Sequence, residues 1–193
     1  RRAASAMAST CGRSSRRSGC SLAPRGGNSD VTADYTVDPV AESDLPAIRS
    51  LIEAAIRDSV AASEEEAQFL IEDIGHSLDG WREHPQDALH LKAFSPEGVL
   101  GVILVKEYWN LTNLFVKPAY QGKGIGRCLV EKALNECRRR SPRGAVLVNS
   151  STVAVPFYRR LGFSQTGPGK DRPGGCVPFQ YAFPALPPGG RPT

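Results

Sequence analysis

The sequence predicts an α+β fold with a mixed sheet, and three patterns support this prediction. Apolar residues recur at helical spacing in two early segments, 43–56 and 63–78. Two later apolar segments, 88–94 and 99–109, are joined by a Ser-Pro-Glu-Gly turn, which is typical of a β-hairpin. A glycine-rich turn at 121–126 then separates another strand from another helix. Helices and strands in this irregular order favour an α+β domain.

The first half of the domain begins with a short strand over 34–40. Ser43 is placed to cap the first helix, and Ser63 with Glu66 forms a capping-box pattern that begins the second. The inward face of the first helix is predicted to be Ile48, Leu51, Ile52, Ala55 and Ile56. The inward face of the second is predicted to be Phe69, Leu70, Ile74 and Leu78.

The second half of the domain continues from the hairpin. Its segment Val102-Ile-Leu-Val105 is apolar at every position, which predicts a central strand covered on both faces. A strand over 111–116 leads to the glycine turn, and a helix then runs to about Arg140. The apolar face of that helix is Ile125, Leu129, Ala133, Leu134 and Cys137. The remaining predicted elements are a strand at 145–149, a helix at 152–161 and late strands at 163–166 and 177–183.

The glycine turn, Gln121-Gly-Lys-Gly-Ile-Gly126, has the features of an anion-binding site. Glycine lets the backbone turn tightly without a Cβ clash. The first amides of the following helix have no intrahelical partner, and the helix dipole favours negative charge there. Residues 121–127 are therefore predicted to grip a phosphate or pyrophosphate. The run fits neither the Walker pattern nor the G-x-G-x-x-G dinucleotide pattern.

A second motif lies downstream, where Asn149-Ser-Ser151 is followed by Ala154, Tyr158 and Gly162-Phe163. The order Q-x-x-G-x-G, N-x-S and A-x-x-x-Y-x-x-x-G-F resembles the acetyl-CoA site of the GNAT superfamily of N-acetyltransferases. The resemblance covers residues 35–183 and is strongest over 99–163.

This resemblance implies a GNAT-type mixed, mostly antiparallel sheet in the order βααβββαβαββ, with helices on both faces and strands splayed apart near the middle. It also implies an acyltransferase that moves acetyl from acetyl-CoA to a primary amine by direct attack in a ternary complex. Two alternatives stay open: an acyl-CoA-binding sensor or scaffold of the same fold, and an unrelated phosphate-binding module.

The resemblance assigns coenzyme contacts to three segments. The strand before the glycine turn would offer backbone groups to the pantetheine arm. The turn would hold the pyrophosphate through its amides, with added charge from Lys and Arg side chains. The next strand end and helix would line the same slot. The residues are Leu114, Phe115, Val116, Gln121, Gly122, Lys123, Gly124, Ile125, Gly126, Arg127, Asn149, Ser151 and Val155.

Tyr158 is the residue that the resemblance assigns to acid catalysis, as the proton donor to the departing CoA thiolate. A free phenol has a pKa near 10 and a thiol a pKa of about 8.5, so the phenol is protonated at neutral pH and able to donate. In a helix that starts near Thr152, Val153 and Phe157 would face inward and Tyr158 would lie beside them. The N–H of Val116 is the expected donor to the oxyanion.

The general base is not fixed by the sequence. Some GNAT members place a glutamate on the strand before the glycine turn, and the matching position here is Asn110. Glu107 is the nearest carboxylate and the first candidate for the base. His90 is the second candidate.

The charge distribution suits a polyanionic coenzyme and a cationic acceptor. Residues 30–91 contain fifteen acids against three Arg, whereas residues 92–193 contain fifteen Lys and Arg against five acids. The acceptor is expected to be an amine-bearing small molecule or a peptide or protein amine. Nucleic acid is not an expected partner, because the basic residues are not interleaved with stacking aromatics. A homodimer is one option for the assembly.

The ends of the chain differ in composition from residues 30–184, the expected acetyltransferase domain. Residues 1–29 contain six Arg and no acid, and are expected to be disordered, either as an organellar transit peptide or as an expression artefact. The tail 185–193 is rich in Pro and Gly and is expected to be disordered as well.

The five cysteines have no metal-ligand spacing, so no metal is expected. No apolar run is long enough to span a membrane. Because the cysteines also indicate no disulfide framework, a reducing intracellular compartment is expected: the cytoplasm, or a plastid or mitochondrion if residues 1–29 are a transit peptide.

Overall fold

The computed structural model describes residues 34–184. The predicted tails, 1–29 and 185–193, lie outside these residues. The described part contains seven strands and four helices in the predicted order βααβββαβαββ. Their bounds are β1 Thr36–Pro39, α1 Leu45–Ser59, α2 Glu64–Glu83, β2 Ala88–Ser95, β3 Gly98–Lys106, β4 Asn110–Val116, α3 Ile125–Arg140, β5 Ala145–Ser150, α4 Val155–Arg160, β6 Ser164–Gln165 and β7 Val177–Ala182.

All seven strands form one sheet in the order β1-β2-β3-β4-β5-β7-β6. Neighbouring strands are antiparallel except β4 and β5, which are parallel. These two strands pair over two residues only, where Asn110 and Leu111 at the start of β4 lie opposite Leu147 and Val148 in the middle of β5. Beyond these two pairs the strands diverge, and this opening is called the β4–β5 gap below. The α+β, mostly antiparallel fold is confirmed.

Helices cover both faces of the sheet. Side chains of β3 alternate between the two faces: Ile103 and Val105 belong to the core that contains α3, whereas Val102 and Leu104 belong to the core of α1 and α2. These side chains are fully buried, which confirms β3 as the predicted central strand. No helix within residues 34–184 has the length and apolar character needed to cross a membrane.

The capping of α2 is as predicted, and its buried face is as predicted except at Phe69. Ser63 accepts a hydrogen bond from the Glu66 N–H at 3.1 Å and so satisfies one of the free amides at the helix start. Leu78 is buried, and Leu70 and Ile74 pack against the same core. Phe69, expected to point inward, is 56% exposed and borders the β4–β5 gap. Phe69 stays exposed because the sheet is open beneath it.

Gly101 allows α3 to approach the sheet closely. A Cβ at this position would lie 3.1 Å from side-chain atoms of Ile125 and of Leu129, and 3.2 Å from the Phe115 carbonyl oxygen. The absence of a side chain on β3 therefore lets the start of α3 rest on the strand. This contact fixes the helix N-terminus, and with it the glycine turn, at the end of β4.

Candidate active site

A cavity of about 1480 Å³ opens along the β4–β5 gap, and the edge of β4 that borders it is unpaired. The Lys117 N–H donates to the Leu100 carbonyl at 2.8 Å, and Val116 lies opposite Gly101 in the register. Hydrogen-bonded and non-hydrogen-bonded pairs alternate along an antiparallel ladder. The backbone groups of Leu114 and Val116 therefore point away from β3 and into the gap.

The glycine turn lies at one end of this cavity. Gly122 and Gly124 have φ values of 75° and 84°, which glycine adopts without a Cβ penalty. Gly124 is the N-cap of α3, so the free amides of the helix begin there. Gln121 also lines the cavity, but its amides already have protein partners. Its N–H donates to the Pro118 carbonyl at 3.1 Å and its side-chain amide to the Val116 carbonyl at 3.2 Å, so it shapes the turn.

The two cations of the turn differ in position. Arg127 lines the cavity together with Gly122, Gly124, Ile125 and Gly126. Its guanidinium pairs with the Glu131 carboxylate at 2.9 Å. An exposed ion pair of this kind contributes little to stability, so Arg127 can leave Glu131 for another anion. Lys123 is outside the lining, with its ammonium 5.1 Å from the centre of the Tyr120 ring.

Three of the predicted coenzyme residues lie on the β5 side of the gap, and two of them, Asn149 and Ser151, line the cavity. On the β4 side, Leu114, Phe115 and Val116 line it as well. Val155 packs against the core instead. The reason is that a 3₁₀ turn occupies Thr152–Ala154, so α4 starts at Val155 and not near Thr152.

This later start rotates the helix relative to the expected orientation. Val153, predicted to face inward, is 62% exposed at the cavity edge. Ala154 and Phe157 line the cavity in the place expected for Val155.

Tyr158 is 4% exposed and borders the cavity. Its ring is fixed among three phenylalanines, with centroid distances of 5.2 Å to Phe157, 5.3 Å to Phe163 and 6.4 Å to Phe179. Burial raises the pKa of its hydroxyl well above the ordinary value, because the phenolate would lose its hydration. The phenol is therefore protonated at neutral pH, as a proton donor must be.

Neither expected base faces the cavity. Glu107 is an exposed residue of the tight β3–β4 turn, with φ 51°, and its carboxylate accepts from the Trp109 indole N–H at 2.8 Å. His90 is 5% exposed on β2 and packs edge-on against Trp81, with ring centroids 4.5 Å apart. Burial lowers the pKa of His90 to about 4. Both residues lie outside the cavity lining.

The structure brings other polar side chains to the cavity. Asp73 and His76 line it from α2. The Ser77 and Thr112 hydroxyls are 3.5 Å apart and join α2 to β4. The register shifts beside Thr112, and bulges of this kind often lie next to active sites.

Asn113 follows this bulge and also lines the cavity. It is 2% exposed, and its side-chain nitrogen has no hydrogen-bond partner in the described part of the chain. Thr112 and Asn113 lie between the apolar residues Leu111 and Leu114 of β4, which is the sequence signal that could have identified them.

Comparison with known proteins decides the family. Residues 58–178 match the family model described as acetyltransferase (GNAT) domain. The chain belongs to the GNAT acetyltransferase family. The resemblance inferred from the two motifs is thereby confirmed.

Known relatives agree with this assignment over part of their length. The GNAT chain is 44% identical over 55 residues to the peptidyl-lysine N-acetyltransferase YjaB of Salmonella typhimurium, which is 28% of this chain and 35% of that protein. Matches to other curated relatives span between 20% and 27% of those relatives.

Two solved structures share the fold of this GNAT chain. The PaiA N-acetyltransferase of Thermoplasma acidophilum in complex with coenzyme A has a TM-score of 0.64 at 20% identity, over 78% of this chain and 99% of that one. A GNAT family acetyltransferase of Brucella melitensis in complex with acetyl-CoA has a TM-score of 0.56 at 24% identity, over 82% and 94%.

Proposed function

We propose that this GNAT protein transfers the acetyl group of acetyl-CoA to a primary amine, by direct attack while both substrates are bound. One observation carries the proposal: an unpaired strand edge, a glycine turn at a helix start and a buried tyrosine all border one cavity. An extended arm that contains amide groups can pair with the open edge of β4 as an added strand would.

The coenzyme residues follow from this placement. The backbone groups of Leu114 and Val116 would bond the pantetheine arm across the gap, with Asn149 on its other side. The free amides at the start of α3 would hold the diphosphate, and Arg127 would exchange its contact with Glu131 for a charge-assisted one.

The chemical step needs one proton donor and one proton acceptor. The amine nitrogen forms a bond to the thioester carbon, and the carbon–sulfur bond breaks. Tyr158 gives its proton to the departing sulfur, since its raised pKa keeps the phenol protonated. The N–H of Val116 would stabilise negative charge on the acetyl oxygen.

The attacking amine loses its proton to a group on α2. Asp73 and His76 line the cavity, whereas Glu107 and His90 do not. We assign proton removal to one of these two α2 residues, either directly or through a water molecule. The carboxylate of Asp73 would also attract a cationic amine as it approaches the cavity.

The acceptor is an amine-bearing small molecule or a peptide or protein amine. The Salmonella typhimurium relative is named a peptidyl-lysine N-acetyltransferase, which makes a lysine peptide the first acceptor to test. Polyamines and other small primary amines are the second class.

Two measurements test the proposal. At 100 times its dissociation constant, acetyl-CoA should stabilise the native state by about 2.7 kcal/mol, whereas NAD and ATP should have no effect. Thiol release should then require an acceptor from a panel of lysine peptides and small amines. Coenzyme binding without thiol release from any acceptor would favour an acyl-CoA sensor. Stabilisation by NAD or ATP alone would refute the coenzyme assignment.

A further inference from the structure

Lys106 is a cation at the closed end of the β4–β5 gap. It is the last residue of β3 and lies opposite Asn110, which in turn lies opposite Leu147 where β4 pairs with β5. Lys106 and Asn110 both line the cavity. From Asn110 to Val116, next to the glycine turn, β4 extends over about 20 Å. The proposed diphosphate site is therefore far from this lysine.

The side chain of Lys106 points to the face of the sheet that α2 covers. Leu104 belongs to the core on this face, and because side chains alternate along a strand, Lys106 lies on the same face. The position of the ammonium agrees with this, since a Cβ added at Gly80 of α2 would lie 3.5 Å from it. Asp73 and His76 line the cavity from the same helix. Lys106 is therefore on the side of the cavity that holds the two residues proposed to remove the amine proton.

Two opposite charges on this side of the cavity are left without a protein partner. Within the described residues, Asp73 is the only carboxylate that lines the cavity, and neither Asp73 nor Lys106 forms an ion pair there. The two are also too far apart to pair with each other. Asp73 and Gly80, which marks the Lys106 ammonium, are seven positions apart on α2, or about 10 Å along its axis. A ligand that carries both charges would complement both groups.

The other cations that line the cavity belong to other elements. Arg127 is part of the glycine turn, where the coenzyme diphosphate is proposed. Arg160 is the last residue of α4, and Arg172 lies in the loop between β6 and β7. The reacting end of acetyl-CoA is a neutral thioester and carries no phosphate. The anion that Lys106 could bind must therefore come from the second substrate.

We propose that Lys106 binds a carboxylate of the acceptor and so selects amines that carry an anionic group several bonds from the nitrogen. The inference rests on the proposed function, because it takes the part of the cavity beside Asp73 as the place where the amine is deprotonated. A spacing of about 10 Å does not suit a free α-amino acid, whose nitrogen and carboxylate share one carbon. It suits an ω-amino carboxylate, or a lysine that has an acidic residue beside it in a peptide. Polyamines, which carry no anion, should be poor acceptors.

The test compares acceptors that differ only in this charge. Aminocaproate and its neutral carboxamide form a small-molecule pair, and blocked lysine–glutamate and lysine–glutamine dipeptides form a peptide pair. In at least one pair, kcat/KM for thiol release should favour the carboxylate by about tenfold or more, as expected for a charge-assisted hydrogen bond. The pair that shows the preference identifies the source of the carboxylate.

Substitution of Lys106 tests whether this residue causes the preference. Lys106→Met should abolish it, chiefly by raising KM for the carboxylate acceptor, whereas Lys106→Arg should retain it because the charge is kept. Lys106→Gln replaces the Met variant if that variant does not fold. Lys170→Met is the matched control, since it removes an exposed lysine that does not line the cavity. A preference that persists in Lys106→Met, or that Lys170→Met also loses, would refute the proposal.

The outcomes distinguish this inference from the proposed function. Equal turnover of both members of each pair by the wild-type protein would leave acetyl transfer intact and refute the role of Lys106. A preference for succinyl-CoA over acetyl-CoA that Lys106→Met loses would place the carboxylate on the acyl donor and overturn the acceptor assignment. If no acceptor supports thiol release, calorimetry with aminocaproate in the presence of coenzyme A decides. Binding that Lys106→Met loses would support the carboxylate site although the proposed function fails, and no binding would refute it.

Discussion

Replacing Tyr158 with Phe removes one oxygen atom and keeps the ring. The ring packs against Phe157, Phe163 and Phe179, and all three contacts remain possible for phenylalanine. Burial is the cause of the raised pKa, with no hydrogen bond contributing to it. The substitution therefore deletes a proton donor from the cavity while it leaves the core around it unchanged.

The expected magnitudes follow from this geometry. Because the packing is retained, the free energy of unfolding should change by no more than about 1 kcal/mol, or roughly 2–4 °C in Tm. Loss of a positioned general acid should lower kcat by about 10²–10⁴-fold, which is about 3–5 kcal/mol of transition-state stabilisation. The KM for acetyl-CoA should change little, since the hydroxyl acts on the departing sulfur and not on the coenzyme's ground state.

The assay is thiol release with the best acceptor, together with thermal unfolding of each variant. Tyr181→Phe is the matched control: it makes the same chemical change on a tyrosine that packs against Phe163 but does not line the cavity. Turnover of Tyr158→Phe that is equal to that of Tyr181→Phe would refute the assignment of Tyr158 as the acid. A large loss of stability in Tyr158→Phe would refute the argument that the hydroxyl is not structural.

Three further predictions concern the glycine turn, the base and a buried histidine. Gly122→Ala and its control Gly144→Ala each place a side chain at a positive φ in open space. Each should lower the free energy of unfolding by about 1–2 kcal/mol. Only Gly122→Ala should weaken acetyl-CoA binding in calorimetry. Glu107→Gln should retain full thiol-release activity, whereas Asp73→Asn or His76→Gln should lower kcat/KM. A large loss of activity in Glu107→Gln alone would instead support Glu107 as the base. The pKa of His90 is about 4 in the folded protein, compared with 6.5 for a free histidine. As the pH falls from 7, the unfolded chain therefore binds a proton at His90 before the folded protein does. The free energy of unfolding should fall by about 2 kcal/mol between pH 7 and pH 5. Urea unfolding of His90→Leu should show a flatter pH dependence, and an unchanged slope would refute this assignment.

Much of the site could be predicted because it depends on short-range rules. The helix start at α3, the turn glycines and the position of Tyr158 follow from local backbone preferences and residue spacing, and the structure has them as expected. The errors concern which way a side chain faces. Val155 was expected in the cavity, and a 3₁₀ turn that delays α4 turns it into the core. Phe69 has an inward spacing, but the sheet under it is open.

The sequence did not point to the two α2 residues proposed as the base, for a related reason. Glu107 is near the strand in sequence, but the tight turn after β3 directs its carboxylate to Trp109. Asp73 and His76 come from a helix distant in sequence from β4, and only the packing of α2 beside the bulge brings them to the gap.

The sequence by itself determined the order of the elements, the glycine turn and the family, because periodicity, glycine placement and motif spacing are properties of neighbouring residues. The tertiary structure alone decided where β4 and β5 separate, which groups of α2 face the opening and how the loop between β6 and β7 contacts α2. These depend on contacts such as that of Gly174 with Glu66, which are far apart along the chain. Their formation is set by the packing of helices and loops on the sheet, which the spacing of neighbouring residues does not specify.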